Sequence, residues 1–152
     1  MARAWLSLGA NIGDPPAQLA EAISRLDAHD RIRVMAQSAI IRTAPWGKTD
    51  QPDFANMAAT VETDLAPLDL LQACLDIERA MGRVRHEVWG PRRIDIDLIA
   101  YERVEMESAT LTLPHRFAHE RDFVLVPLRE IAPDTAEWLV GRMQAAPGQA
   151  RQ

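Results

Sequence analysis

Apolar residues recur along this chain with two different periods, and the periods predict where strands and helices lie. Alternation at every second residue is typical of a strand, because successive side chains of a strand point to opposite faces. Recurrence at three and four residues is typical of an amphipathic helix. On these grounds we expect strands at 4–8, 31–41, 57–63 and 94–101, and helices at 15–29, 67–82, 123–131 and 135–146.

Several residues at the ends of these segments support the helix predictions. Asp14 suits the N-cap of the first helix, and Pro15 suits its first turn. Gly82 is a natural end for the second helix, because glycine readily adopts the left-handed conformation found there. The buried stripe that we expect for the second helix comprises Leu68, Leu71, Cys74, Leu75, Ile77 and Met81.

The order of these elements predicts the fold class. Helices and strands alternate, a short extended piece follows at 110–113, and neighbouring strands are placed as in hairpins. We therefore expect an α+β protein, a ferredoxin-like αβα sandwich with a mainly antiparallel central sheet. The length of 152 residues suits a single domain over 1–152, whose last residues, about 147–152, should fray.

The segment 94–101 carries the most informative pattern. Its aliphatic residues alternate with Asp95 and Asp97, so both carboxylates should share one face of the strand. Residues two apart on a strand are separated by about 6.6 to 6.8 Å, which allows both carboxylates to bind one Mg²⁺ or to bracket two ions. An ordinary sheet with one solvated polar face would show the same alternation. The strand alone leaves both interpretations open.

Composition and charge narrow the class of protein. The chain is 47% hydrophobic and 26% charged, with a net charge of −5, which argues against bulk electrostatic binding of nucleic acid. Five arginines nevertheless fall close together: Arg79, Arg83, Arg85, Arg92 and Arg93. The single cysteine, Cys74, is typical of a small core residue in a protein of the reducing cytoplasm. The sequence contains no run of 18 apolar residues, so we expect no membrane span.

Two long segments without periodicity, 42–56 and 82–93, flank the predicted strands and are long for plain connections. Together with their surroundings they carry a set of motifs in a particular order. On these motifs the chain resembles the hydroxymethyldihydropterin pyrophosphokinases, folate-pathway enzymes that transfer pyrophosphate from ATP to a pterin alcohol. The motifs are SLGANIGD at 7–14, RTAPWG and QPDFAN within 42–56, IERAMGRVR at 77–85, WGPRRIDIDLI at 89–99 and PHRFAHERDFVLVPLREIAP at 114–133.

The resemblance implies an ATP site with ATP as co-substrate. Asp95 and Asp97 would hold two Mg²⁺ ions on the ATP phosphates, and Arg83 and Arg92 would serve catalysis together with them. The arginine-rich segment would close over the nucleotide. Glu78 is either a structural residue or a nucleotide contact, and His115 is a phosphate contact rather than a base. The full set of ATP contacts is Glu78, Arg85, Trp89, Arg92, Leu98, Thr112, His115, Arg116 and Arg121.

The resemblance also implies a pterin site. Phe54 and Phe123 would stack on the flat heterocycle, and the amide of Asn56 would read its edge. The remaining pterin residues are Thr43, Ala44, Trp46 and Trp89. Outside their motifs, Phe54 and Phe123 would be ordinary core aromatics. Three positions depart from the common pattern of the family, namely Ala44, Leu75 and Val88.

These expectations describe a cytoplasmic, monomeric enzyme whose partners are small molecules, with neither nucleic acid nor a membrane as a partner. Two rival hypotheses remain: a ferredoxin-like nucleic-acid-binding module, and a catalytically silent relative with a scaffolding role. We expect His29, His86 and His119 at the surface.

Overall fold

The computed structural model of this protein describes residues 1–43, 53–82 and 94–150, with side chains described as far as Arg142. Several predicted site residues lie outside the described residues: Ala44, Trp46, Arg83, Arg85, Trp89 and Arg92. Val88 and His86 also lie there. Within the described ranges, no helix is both long and apolar enough to cross a bilayer.

The centre of the fold is a five-stranded antiparallel sheet. Four strands are ordered β2-β4-β1-β5, and β3 pairs with the remaining part of β4. This order is that of a ferredoxin-like split βαβ arrangement, which confirms the predicted fold class. The strands are β1 (Ala2–Ala10), β2 (Ile32–Gln37), β3 (Ile41–Thr43), β4 (Phe54–Thr63) and β5 (Asp95–Tyr101), and a separate hairpin joins β6 (Met106–Glu107) to β7 (Thr112–Leu113).

Four helices accompany the sheet: α1 (Pro15–Ala28), α2 (Pro67–Ala80), α3 (Asp122–Ile131) and α4 (Pro133–Ala150). Asp14 caps α1 as predicted, because its Oδ1 accepts a hydrogen bond from the Ala17 backbone N–H at 3.2 Å. Gly82 follows α2 with a φ of 85°, the left-handed conformation expected of a glycine at a helix end. A short 3-10 turn at Ala118–Glu120 precedes α3.

Two strand predictions were wrong in their extent. The predicted strand at 31–41 is interrupted after Gln37, because Ser38 bonds to Ala58 through both its backbone N–H and its Oγ. The next backbone N–H, that of Ala39, donates to the Glu130 carboxylate of α3. The third predicted strand begins at Phe54 rather than at residue 57, so that Phe54 and Asn56 lie on the sheet.

The buried stripe of α2 was also partly wrong. Leu68 is 46% exposed, whereas Leu70 is fully buried. The two residues are separated by about 200° around the helix axis, because each residue turns the helix by about 100°. The face that packs on the sheet is built from Leu70, Ala73, Cys74 and Ile77, with Leu71 and Leu75 at its margin.

The two faces of the sheet belong to different cores. On β1, Ala4, Leu6 and Leu8 pack with residues of α1 and α2, whereas Trp5 packs with residues of α3 and α4. The molecule therefore has the predicted αβα layers. Beyond Trp5 the same sheet face becomes more polar toward one end. The residues there are Ser7 and Gly9 of β1, Phe54 and Asn56 of β4, and Asp95 and Asp97 of β5.

Candidate functional site

A cavity of about 670 Å³ lies where β5, α2 and the segment before α3 meet. The described residues that the resemblance assigns to ATP and metal all line this cavity. These are Glu78, Asp95, Asp97, Leu98, Thr112, His115, Arg116 and Arg121. They come from four separate stretches of the chain, so their convergence is a property of the fold.

Asp95 and Asp97 lie on one face of β5, as the alternation predicts. Both are half-buried and line the cavity, whereas Ile94 and Ile96 behind them are at most 2% exposed. In the antiparallel register Asp95 is paired with Gly9 of β1 and Asp97 with Ser7. Two carboxylates are therefore held on a strand whose aliphatic side chains fix it to the core, and the register of β5 on β1 shifts only beyond Leu98.

The donor set at these aspartates suits a hard cation. Among the described residues no group of three or more His, Cys, Asp or Glu side chains could hold a metal ion. Mg²⁺ typically takes one or two carboxylates from a protein and completes its octahedron with water and substrate phosphate oxygens. Asp95 and Asp97 therefore fit Mg²⁺ that is bound together with a phosphorylated substrate.

Glu78 holds the backbone of the same strand. Its side chain is buried in α2, and its Oε2 accepts a hydrogen bond from the Ile96 backbone N–H at 2.7 Å. Strand β5 lies at the edge of the sheet, so a backbone donor on its outer side needs a partner from outside the sheet. Glu78 supplies that partner between Asp95 and Asp97, and it also lines the cavity.

His115 lines the cavity as a neutral hydrogen-bond donor. Its backbone N–H donates to the Ile99 carbonyl at 2.8 Å, and its Nδ1 accepts from the Phe117 N–H at 3.2 Å. Because Nδ1 accepts, the neutral ring carries its proton on Nε2. Burial lowers the pKa of His115, Asp97 opposes that effect and the positive charge of Arg121 adds to it.

Arg121 links the cavity to the aromatic side of the site. It lines the cavity, and its guanidinium carbon lies 5.5 Å from the ring centroid of Phe117 and 5.6 Å from that of Phe123. Such distances are typical of cation–π contacts. Arg121, assigned to ATP by the resemblance, therefore contacts Phe123, assigned to the pterin.

Arg116 pairs with Glu107 at 3.5 Å, and both side chains are largely exposed.

The described residues that the resemblance assigns to the pterin gather at the N-terminal end of β4. Asn56 is 4% exposed, and its Nδ2 donates to the Thr43 Oγ at 2.9 Å. Thr43 is paired in the sheet with Phe54, which is half-buried. Phe123 lies in the first turn of α3, a helix that packs on both β3 and β4. The fold thus brings Thr43, Phe54, Asn56 and the helix of Phe123 to one end of one sheet face.

Some residues of the cavity were missed by the sequence analysis. Leu71, Thr110, Leu111 and Phe117 line it, and so does Leu75, a position where the chain departs from the family pattern. The motif 114–133 contained Phe117, but the aromatic alone suggested no role. The hairpin β6–β7 that carries Thr110 to the cavity is too short to leave a periodic signal.

Cys74 is fully buried, as predicted, and burial raises the pKa of its thiol to about 12, with the charges of Glu78 and Asp97 adding to the effect. His29 and His119 were expected at the surface, but both are half-buried. The Nδ1 of His29 accepts from the Arg31 N–H at 3.0 Å, and the Nε2 of His119 lies 3.3 Å from the Glu120 carboxylate. Neither histidine lines the cavity.

Fold and cavity together define a ferredoxin-like α+β protein with a carboxylate- and arginine-lined ligand site at one end of its sheet. Comparison with known families gives a match over residues 5–133 to the model of the 7,8-dihydro-6-hydroxymethylpterin-pyrophosphokinases, abbreviated HPPK. The chain belongs to this family. The family match extends from β1 to the beginning of α4 and includes every described residue of the site.

Individual relatives agree with the family assignment. The chain is 58% identical over 134 residues to the 2-amino-4-hydroxy-6-hydroxymethyldihydropteridine pyrophosphokinase of Methylorubrum extorquens, covering 88% of this chain and 85% of the relative. It is 39% identical to the Haemophilus influenzae protein of the same name, covering 88% of this chain and 84% of that one. The nucleic-acid-binding alternative is not favoured by these relatives.

Solved structures show the same fold. The crystal structure of Plasmodium falciparum HPPK-DHPS with pteroate superposes with a TM-score of 0.68 at 16% identity, covering 88% of this chain and 39% of the other. The wild-type structure of the same protein gives a TM-score of 0.66 at 15% identity, covering 88% of this chain and 38% of the other. The chain thus spans about two fifths of the length of these matched structures.

Proposed function

We propose that this protein transfers pyrophosphate from ATP to the hydroxymethyl group of 6-hydroxymethyl-7,8-dihydropterin and releases AMP, a step of folate biosynthesis. The observation that carries the proposal is the arrangement of Asp95 and Asp97 on the same sheet face as Asn56. Carboxylates suited to Mg²⁺ and an amide suited to a heterocycle edge lie on strands that flank β1. Two different substrates would therefore meet above one strand.

The cavity supports the nucleotide half of this proposal. Its wall combines apolar residues such as Leu71, Leu75 and Leu98 with the donors His115 and Arg121. Apolar surface suits a purine base, and cationic or neutral donors suit phosphate oxygens. Its volume of about 670 Å³ lies within the usual range for a small-molecule site of about 300 to 1,000 Å³.

The metal requirement forms part of the same proposal. Asp95 and Asp97 would hold Mg²⁺, two ions according to the resemblance, against the phosphates of ATP. The bound ions would supply neutralisation of the charge that develops on the transferred group. The neutral Nε2–H of His115 would donate to a phosphate oxygen, and Arg121 would contribute a fixed positive charge. Arg83 and Arg92 are proposed for the same role on the strength of the family motif.

On the pterin side, Asn56 offers both a donor and an acceptor, and its orientation is held by the bond to Thr43. Phe54 and Phe123 would stack on the ring, with Ala44, Trp46 and Trp89 completing the site from segments outside the described residues. The pterin hydroxymethyl oxygen would attack the β-phosphorus of ATP. That O–P bond forms as the bond from the β-phosphorus to the α,β-bridging oxygen breaks, AMP leaves, and the hydroxyl proton is released.

The direct test is product identification. The protein is incubated with MgATP and the reduced pterin alcohol, and the nucleotides and pterins are separated chromatographically. We expect AMP and pterin diphosphate in equal amounts, and no AMP when either the pterin or Mg²⁺ is omitted. Formation of ADP, or nucleotide turnover that does not depend on pterin, would refute the proposal.

We further propose that residues 1–152 form a single domain with a frayed end at about 147–152, and that the protein acts as a cytoplasmic monomer with small-molecule partners. The five-stranded antiparallel sheet has one core on each face, which is sufficient for one independently folding unit. Light scattering coupled to size-exclusion chromatography measures the oligomeric state. A mass near 17.0 kDa is expected, and a stable dimer would contradict the monomer.

A further inference from the structure

Gly9 lies in the sheet between a residue of the proposed pterin site and a residue of the proposed metal site. It is on β1, and the antiparallel registers pair it with Asn56 of β4 on one side and Asp95 of β5 on the other. These three residues form one row across the sheet, and opposite side chains in such a row are about 4.5 to 5.5 Å apart at their Cβ atoms. Gly9 is thus the position between the pterin amide and a metal carboxylate.

Backbone conformation does not explain why this position is a glycine. The described glycines with positive φ are Gly13 and Gly82, so Gly9 has a conformation open to any residue. Glycine in a strand interior weakens the strand, because it has no side chain to pack, and it often marks a close approach by another group. The explanation must therefore lie in the space above its Cα.

That space is occupied by the Asn56 amide. A Cβ atom added to Gly9 would lie 2.8 Å from the Asn56 Oδ1, closer than real Cβ contacts. The next nearest atoms are the Ala55 carbonyl oxygen at 3.8 Å and the Asn56 Cγ at 3.9 Å. No atom of Asp95 is among these three nearest neighbours. An added methyl group would therefore act on Asn56 rather than on the metal carboxylate.

The amide has little freedom to avoid such a group. Asn56 is 4% exposed, and its Nδ2 is bound to Thr43 at 2.9 Å, so the Oδ1 is directed over Gly9. Rotating the amide away from a new Cβ would break or bend the bond to Thr43. The orientation of the amide is thus set by Thr43 beside it and by the absence of a side chain beneath it.

We infer that Gly9 is a positioning residue for pterin recognition, because the missing side chain lets the Asn56 amide oxygen lie flat against β1 and face the pterin edge. This inference rests on the proposed function. It deepens that function by assigning pterin selectivity to a residue that itself offers no group to the ligand.

The test is the variant Gly9→Ala, for which pterin affinity and ATP affinity are measured separately. Isothermal titration gives the Kd for a non-hydrolysable ATP analogue with Mg²⁺, and then the Kd for the pterin alcohol in the presence of that analogue. We expect the pterin Kd to rise about tenfold, the effect of one misplaced hydrogen bond, while the ATP-analogue Kd changes less than about twofold. A pterin Kd within about twofold of the wild type, or an equal loss of both affinities, would overturn the inference.

The matched control is Gly141→Ala in α4, where an added Cβ has no neighbour within 4 Å. This variant should leave both Kd values unchanged. A second control is Asn56→Ala, alone and combined with Gly9→Ala. If Gly9 acts through Asn56, adding Gly9→Ala to the Asn56→Ala background should change the pterin Kd by less than about twofold. A further loss of about tenfold in that background would contradict the inference.

The same double variant covers the case in which Gly9→Ala fails to fold. Asn56→Ala removes the atom that the new Cβ would meet, so it should restore a cooperative thermal transition. Failure to restore folding would show that the added methyl group clashes elsewhere and would overturn the inference. Wild-type protein without any pterin-dependent AMP release would instead refute the proposed function, which keeps the two failures distinct.

Discussion

Glu78 gives the sharpest test of how β5, the strand that carries Asp95 and Asp97, is held. We consider Glu78→Leu, which keeps the approximate size of the side chain but leaves the Ile96 N–H without the acceptor it has at 2.7 Å. An orphaned buried donor costs about 1 to 3 kcal/mol. A loss of about 2 kcal/mol corresponds to a fall in Tm of about 4 to 8 °C for a protein of this size.

The matching variant Glu78→Gln retains an acceptor oxygen that can reach Ile96. We expect its stability to lie between that of Glu78→Leu and that of the wild type, because a neutral acceptor forms a weaker bond than a carboxylate. The corresponding substitutions at Glu137, an exposed residue of α4, should shift the free energy of unfolding by less than about 0.5 kcal/mol. Urea denaturation followed by circular dichroism measures all four variants.

The activity of the Glu78 variants tests the connection to the metal site. Because Ile96 lies between Asp95 and Asp97, loosening its backbone should misplace both carboxylates. Residues that orient metal ligands typically affect metal affinity by about 10- to 100-fold, so Glu78→Leu should need about tenfold more Mg²⁺ for half-maximal turnover. Wild-type stability in Glu78→Leu, or identical losses in the Leu and Gln variants, would refute the role assigned to the Ile96 hydrogen bond.

Three further predictions follow from other parts of the site. Asp97→Asn should lower turnover by at least about 100-fold while the far-UV circular dichroism spectrum stays unchanged, since the residue is half-buried and its negative charge is what the proposed Mg²⁺ requires. An unimpaired variant would contradict the metal assignment. The pKa of His115 is lowered from 6.5 in the folded state, so the unfolded state binds the proton more readily. The neutral ring therefore contributes fully to the free energy of unfolding above pH 6.5, and this contribution is lost as the pH falls through the lowered pKa. In metal-free protein, the free energy of unfolding of His115→Gln should therefore fall less on acidification than that of the wild type. Parallel curves of this free energy against pH for the two proteins would contradict the prediction. Cys74, whose thiol pKa is about 12, should not react with a thiol reagent at about pH 8 until the protein is unfolded; labelling of the native protein at the rate of a free thiol would show that the side chain is accessible.

Sequence reasoning predicted the layers of the fold and the two faces of β5, because both depend on short-range periodicity. The alternation of aliphatic residues with Asp95 and Asp97 is visible within a few positions, and it corresponds directly to burial in the structure. The break after Gln37 was not predictable in this way. It depends on two hydrogen bonds between Ser38 and Ala58, one donated by each backbone N–H, and on the bond that the Ala39 N–H donates to Glu130; both partners are distant in the chain.

The same distinction applies within the site. The motifs identified Asn56 and Asp95, but the row that they form with Gly9 depends on the registers of two strand pairs, which periodicity does not specify. The role of Glu78 was left open for a similar reason. A glutamate on an amphipathic helix is consistent with either a structural or a ligand role, and its bond to Ile96 adds a structural contact that the spacing of the helix did not predict.

The position of Arg121 between the cavity and Phe123 has a thermodynamic consequence. A side chain that belongs to two ligand sites makes their binding free energies interdependent, since a ligand that draws the guanidinium toward phosphate changes what lies over the aromatic ring. By linkage, any factor by which the nucleotide alters pterin affinity is also the factor by which pterin alters nucleotide affinity. Under the proposed function, Arg121 would therefore be a direct physical route for cooperativity between the two substrates.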